Sequence, residues 1–237
     1  MSTLKYSELE NELGIELSER QRTQFNQFYE LLVDWNKHMN LTGITDYDEV
    51  LSKHFFDSLT CAKGLDSWID IKVIDVGTGA GFPGIPMKIS NPSIKITLLD
   101  SLNKRINFLD AVTKALGLEN VELIHGRAED YGQDVNYREN FDVAISRAVA
   151  DLSVLSEYVL PFIKIGGVFI AQKSLSATSE IEKSKNAIEI LGGRIRDIIE
   201  VKVPGIEIVH SLVIIEKVNE TPSKYPRKAG KPTKKPL

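Results

Sequence analysis

Asp75, Gly77, Gly79 and Gly81 stand at alternate positions in IKVIDVGTGAGFPG, residues 71–84. The apolar run before them reads as a strand buried on both faces. Glycines after such a strand let the backbone approach a ligand closely, because no Cβ intervenes. A second apolar strand, KITLLD, ends in Asp100, 19 residues past Gly81. A nucleotide fold places its ribose-holding acid at about that distance. The pair of features points to an adenosine-containing small molecule. A P-loop is excluded, because no Gly-Lys-Ser/Thr follows to serve phosphate and magnesium. Gly79, Gly81 and Gly84 fit the dinucleotide spacing, but offset from the strand's acid and with Pro83 inside.

The better template is acid-x-Gly-x-Gly-x-Gly, which Asp75, Gly77, Gly79 and Gly81 meet, and it resembles the first motif of class I S-adenosylmethionine-dependent methyltransferases. Their methyl donor has no phosphate, so the loop needs close approach more than an anion nest. Asp75 is placed to help hold the donor's ammonium group.

Ligands of an open parallel sheet bind beyond the carboxyl ends of its strands. The residues there are therefore the candidates. Phe82 follows the glycine loop and is placed to lie against the cofactor. Asp100 is suited to accept hydrogen bonds from ribose hydroxyls. Ala128 and Glu129 follow the third strand, where this fold specifies adenine. Arg147 ends the fourth strand, and the fifth ends near Lys173. Each has a plainer reading: Glu129 and Asp130 as helix caps, Arg147 as an exposed loop cation, Lys104 and Arg105 as a solvated helix face. His125 reads as structural, and His54 with Asp57 as a local helix pair.

What is missing narrows the acceptor. Amino-directed DNA methyltransferases carry an Asn/Asp-Pro-Pro-aromatic motif near the end of strand four, where this chain reads SRAVA. Carbon-5 pyrimidine enzymes need a nucleophilic cysteine, and Cys61 lies in the N-terminal helices. No His, Cys and acid cluster has metal-ligand spacing. Direct attack by a free lone pair remains, which suits guanine N7. Such chemistry needs orientation and electrostatics more than a general base.

These residues must be positioned by alternating elements. From residue 71, strands are expected at 71–76, 95–100, 121–125, 141–146 and 167–173, and helices at 84–90, 103–116, 151–163 and 177–191. That alternation implies a parallel sheet covered by helices on both faces. Two last strands, 194–203 and 210–218, are separated by a break at Pro204-Gly205 and fit a closing antiparallel pair. Residues 18–63 read as helical, with capping boxes at Ser18/Gln21 and Asp46/Glu49. Phe25, Phe28, Leu32, Trp35 and Met39 form a stripe that docks these helices on the main domain. Gly117 is expected to cap one helix and Asp151 to begin another.

The 237 residues suffice for a full α/β core plus an extra segment. The expected layout is an N-terminal helical extension (1–66), a class I methyltransferase domain (67–220) and a basic, proline-rich tail (221–237). No apolar run approaches membrane-spanning length, no signal-peptide pattern opens the chain, and one cysteine excludes an internal disulfide. A cytoplasmic protein is expected. The tail TPSKYPRKAGKPTKKPL has six basic residues, four prolines and no acid. The whole chain carries a net −4, so the other 220 residues carry −10. A flexible cationic tail on an acidic body suits a polyanion. Tyr225 and Arg227 are candidates for stacking on bases; the plainer reading is a solvated end.

LLVDWNKHMNLTGIT (31–45), KHFFDSL (53–59), DVGTGAGFPGIP (75–86), LLDSLNKRINFL (98–109), GRAED (126–130), ISRAVA (145–150) and KYPRKAGKP in the tail together resemble one bacterial family. It is the 16S ribosomal RNA guanine-N7 methyltransferases, called small-subunit methyltransferase G or glucose-inhibited division protein B. The resemblance spans nearly the whole chain. It implies a Rossmann-like methyltransferase that uses S-adenosylmethionine, without a metal, on a guanine of the 530 loop, conventionally position 527. The implied partner is 16S RNA or the small ribosomal subunit, with neither DNA nor a membrane. The cofactor contacts it implies fall on Gly77, Phe82, Ala128, Glu129 and Arg147; Asp75, Gly79 and Asp100 come from the residues themselves. A non-catalytic RNA-binding or ribosome-assembly factor with this fold is the alternative, which the intact glycine loop disfavours. A nicotinamide oxidoreductase rests only on the offset glycine match.

Overall fold

The computed structural model describes residues 6–7, 10–11, 13–147, 150–175, 178–203 and 206–237. The expected break at Pro204-Gly205, the Ala148-Val149 end of the SRAVA segment and the start of the 177–191 helix lie outside the described residues.

Among the described residues, seven strands form one sheet in the order β3-β2-β1-β4-β5-β7-β6. They are β1 (Lys72–Val76), β2 (Lys95–Asp100), β3 (Val121–His125), β4 (Phe141–Arg147), β5 (Ile163–Ser174), β6 (Gly193–Lys202) and β7 (Val209–Lys217). The first five are parallel. β7 runs antiparallel to both β5 and β6, closing one edge. Strand order reverses at β1, which lies between β2 and β4. A crevice therefore opens at its carboxyl end.

Alternation along each strand divides the core. Val73, Ile96, Leu98, Val143, Ile145 and Ile170 face one side, with Phe25, Phe28 and Phe55 from the N-terminal helices. Ile74, Val76, Leu99, Ala144, Phe169 and Ala171 face the other. Burial on both faces explains the unbroken apolar reading of β1.

Helix α1 (Glu19–Met39) begins with the expected capping box. The Gln21 N–H donates to Ser18 Oγ and the Ser18 N–H returns to Gln21 Oε1. Its aromatic stripe enters the core. Phe28 lies 5.2 Å from Phe55 and 5.5 Å from Phe82, ring centroid to centroid. A second helical run starts at α2 (Tyr47–Val50), where Asp46 accepts from the Glu49 N–H. It continues through a π-helical turn (Leu51–Phe56), an α-turn (Asp57–Leu59) and a 3₁₀ turn (Thr60–Gly64). Helices α3 (Gly84–Ser90), α4 (Asn103–Ala115), α5 (Ala128–Tyr131), α6 (Leu152–Val159) and α7 (Thr178–Ile190) connect the strands. Gly117 follows α4 at φ +60°, as a C-cap glycine should. Asp151 precedes α6 but makes no side-chain cap. Glu180 accepts the Leu152 N–H instead.

The tail departs from the expected flexible end. It packs on the face carrying α5 and α6 and closes with a short helix, α8 (Lys231–Lys234). Arg227 grips Glu157 of α6 with its Nε, a terminal guanidinium nitrogen and its own backbone N–H. Glu157 is 1% exposed, so this partner satisfies a charge that burial would otherwise make costly. Arg138 donates to the carbonyls of Thr221 and Tyr225, and Gln133 to those of Ser223 and Pro226. Tyr225 is buried in the second core. Tyr225 and Arg227 therefore face inward and do not offer themselves to bases. Composition misled here because the prolines direct a packed path and inward-facing partners hold it.

Candidate functional site

Gly77, Gly79 and Gly81 adopt φ of +73°, +62° and +92°. Only glycine takes such values without strain. The loop is tied to its neighbours by the Gly77 and Thr78 N–H groups, both on Leu99 O. The Gly79 N–H donates to Asp100 Oδ2 at 2.9 Å. Two glycines differ in what they leave room for. A Cβ on Gly81 would meet Ile85 Cγ1 at 2.7 Å, whereas one on Gly79 would meet nothing nearer than Gly77 O at 4.0 Å. Gly81 is small for packing, and Gly79 is small beside open space.

That space is a cavity of about 370 Å³ bounded by Gly77, Gly79, Phe82, Asp100, Arg105 and Arg147, among others. A second cavity of about 180 Å³ is bounded by Gly77, Asp100, Ala128, Glu129 and Tyr158. The two share Gly77 and Asp100, so they form one trough across the ends of β1, β2 and β3. Seven of the eight expected site residues thus line one trough. Asp75 does not. It is fully buried beneath the loop, and its Oδ2 accepts from Thr78 Oγ1 and the Gly84 N–H, both at 2.8 Å. Asp75 therefore shapes the loop from below. Burial pushes its carboxyl up to about 7, against the pull of those two donors.

Asp100 joins the two halves. Its Oδ1 accepts from the Leu102 N–H and its Oδ2 from Gly79 and from Arg105. Arg105, read as a solvated helix cation, is instead the ion-pair partner of the trough's acid, at 3.1 Å. A carboxylate offers about four lone-pair directions, so capacity for a further donor remains.

Phe82 forms the wall between trough and core. His54 stacks on it, with centroids 4.6 Å apart and planes 24° from parallel. The Arg147 guanidinium carbon lies 5.1 Å from its centroid. Arg147 also donates to Asp57 Oδ2 at 2.9 Å and to Lys53 O. Gln172, the register partner of Arg147 on β5, donates to Asp57 Oδ1 at 2.6 Å. His210 Nε2 lies 3.5 Å from the same oxygen. Asp57 thus gathers three side chains from β4, β5 and β7 at one point. Burial pushes its carboxyl up, while Arg147 and His210 pull it down. Burial, and then the charge of Arg147, lower the His54 imidazole to about 4. It is therefore neutral near pH 7, with Nε2 2.7 Å from Thr42 Oγ1.

The sequence reading missed this cluster. Asp57 and His54 do not form a local helix pair; both turn toward Arg147, about 90 residues away in sequence. The signal available was the density of polar residues in KHFFDSL within an apolar run. Beyond it lies a third cavity of about 500 Å³, bounded by Ile44, Lys53, His54, Asp57, Arg147, Gln172, Ile206 and His210, among others. His54 and Arg147 belong to the walls of both this cavity and the trough. Among the described residues, no three His, Cys, Asp or Glu side chains are grouped to hold a metal ion. Among them, too, no helix is long and apolar enough to cross a membrane.

Comparison with known proteins places this geometry in context. The family model described as rRNA small subunit methyltransferase G matches residues 21–208. The ribosomal RNA small subunit methyltransferase G of Alkaliphilus metalliredigens is 51% identical over 226 residues, covering 95% of this chain and 95% of its own. The protein of that name from Brevibacillus brevis is 49% identical over 237 residues, the full length of both. A SAM-dependent O-methyltransferase structure from Thermotoga maritima aligns at a TM-score of 0.54 with 17% identity, over 81% of this chain and 72% of its own. That likeness is one of fold.

Proposed function

The chain belongs to the rRNA small subunit methyltransferase G family, and from that premise we propose that it methylates N7 of a guanine in the 530 loop of 16S ribosomal RNA, with S-adenosylmethionine as donor. One observation carries the reading. The glycine-loop trough, with Asp100 at its centre, adjoins a separate cavity, and His54 and Arg147 belong to the walls of both. The trough suits the donor, and the adjoining cavity suits the acceptor base.

The residues fit the donor. The missing Cβ of Gly79 leaves room against the loop, and the Asp100 carboxylate is placed for ribose hydroxyls. Ala128 and Glu129 lie at the adenine end and Gly77 between the halves. When bound, the donor supplies an electrophilic methyl on a sulfonium. Guanine N7 gives its free lone pair to that methyl as the carbon–sulfur bond breaks, and the pair leaves on sulfur. No proton is removed from N7 beforehand. The protein supplies orientation and exclusion of water. The Arg147–Asp57 pair fixes a cation at the wall between donor and acceptor without leaving it free to repel the sulfonium. The neutral His54 adds no second positive charge there.

We read residues 1–66 as the helical extension that holds the Phe82 wall, 67–220 as the methyltransferase domain and 221–237 as the tail. The tail's outward side is cationic. Lys224, Lys228, Lys231, Lys234 and Lys235 are all exposed on a backbone whose anchors face inward. That arrangement supports contact with RNA phosphates in the cytoplasm, where ribosomal subunits are found. A thermal-shift comparison tests the donor: S-adenosylmethionine raises the melting temperature and NAD does not. Stabilisation by NAD alone would return the oxidoreductase reading.

A further inference from the structure

The tail's distal turn reaches the trough. The Gly230 N–H donates to Glu129 Oε1 at 3.1 Å, and Thr233 Oγ1 lies 2.9 Å from the Tyr158 hydroxyl. Glu129 and Tyr158 are both lining residues of the smaller cavity, the half beside Asp100 and Ala128. Neither belongs to the tail, and they come from different helices, α5 and α6. One short segment therefore holds two walls of one cavity.

We infer that residues 230–234 are positioning residues of the cofactor site, fixing Glu129 and Tyr158 for the adenosine part of the ligand. The inference rests on the placement of S-adenosylmethionine proposed above. The anchoring is divided in a way that supports it. Arg227 on Glu157 and buried Tyr225 hold the proximal tail to the body. They would do so without Gly230 or Thr233. The distal contacts fall on the trough's lining. Gly230 sits at φ +77°, with nothing within 4 Å of where its Cβ would be. The backbone is turned there so that its N–H meets the Glu129 carboxylate. Glu129 is 8% exposed, so a hydrogen bond that satisfies one of its oxygens also limits the directions the other can take.

The test uses the full chain, so that every tail charge stays in place. Gly230→Pro removes the N–H and forbids the positive φ. Thr233→Val removes the hydroxyl at nearly constant shape, and Thr233→Ser restores it. Calorimetry with S-adenosylmethionine and with adenosine is run on each, beside ligand-free melting and RNA binding across a salt series. Gly230→Pro and Thr233→Val are expected to weaken both ligands about five- to tenfold, the scale of one or two lost hydrogen bonds. Thr233→Ser recovers native affinity, and the RNA salt slope stays unchanged in all three. Melting of the ligand-free chain shifts little, because the Arg227 anchor remains. Native affinity in both Gly230→Pro and Thr233→Val would overturn the inference and leave the donor's placement standing. Failure of the native chain to bind either ligand would overturn both.

Discussion

The backbone N–H of Gly79 donates to the carboxylate of Asp100 at 2.9 Å, joining the glycine loop to the end of the neighbouring strand. The two features read separately from the sequence are thus one unit. A conformation that glycine adopts without strain presents an N–H to the acid, and in the proposed placement the acid is held to meet a ribose. Asp100→Ala should weaken S-adenosylmethionine by about 1.5–3 kcal/mol, the range of hydrogen bonds to a charged group. Loss of the loop's tether adds to the direct loss. Calorimetry checks this, and native affinity in the variant would remove Asp100 from the site.

Gly79 and Gly81 should separate binding from folding. Gly79→Ala costs about 1–2 kcal/mol of left-handed strain, but its Cβ meets no protein atom closer than 4.0 Å. It projects into the space assigned to the donor. Gly81→Ala carries the same kind of strain and also drives a methyl against Ile85 and Leu109. Ligand-free melting should therefore fall further for Gly81→Ala. Cofactor affinity should fall in Gly79→Ala while the chain stays folded. Equal melting losses would mean that Gly79 is a packing glycine as well.

How much of this was legible follows from what each signal depends on. Strand positions came through within a residue or two for β1 to β4; in β1, β2 and β4 burial on both faces leaves dense apolar runs, whereas the edge strand β3 is only partly buried. The amino end of β5 was less clear; it extends back to Ile163, whereas the strand was expected from 167. Trough residues were legible because the strand-end rule needs only order along the chain. The Asp57 cluster was not, since its members come from one helical run and three strands and no local period links them. The tail was misread because its six basic residues and four prolines match a solvated end. Its partner was the clue: Glu157, the lone charged residue in the helix LSVLSEYV, called for a buried cation.

His54 gives the site a pH signature. Burial and Arg147 lower its imidazole from 6.5 to about 4. Between those values the unfolded chain binds a proton that the folded chain refuses. Stability from this group is therefore fully present above about pH 6.5 and is lost as pH falls toward 4. His54→Asn should flatten that part of the stability profile. Chemical denaturation across pH 4 to 7.5 measures the difference between the two proteins. Parallel profiles would show that His54 titrates as an exposed histidine.

The ordered tail changes what its charges should do. With Arg227 turned inward, five exposed lysines remain for phosphate. Each contact on single-stranded RNA adds roughly −0.7 to the slope of log affinity against log salt. If about three engage, replacing all five by Gln should flatten the slope by about 2. RNA binding over a salt series reads this directly. Identical slopes would make the lysine face a solvated surface.

The most direct measurement of the whole account is the site of the transferred methyl. Purified protein, labelled S-adenosylmethionine and both free 16S RNA and small subunits lacking the modification are incubated with a chelator present. The RNA is then digested and the label located by mass. The account predicts 7-methylguanosine at one position in the 530 loop, formed despite the chelator, and reduced in step with the weakened donor binding of the Asp100→Ala and Gly79→Ala forms. Label on an exocyclic amine or a ring carbon, or no transfer by a protein that binds the donor, would contradict it.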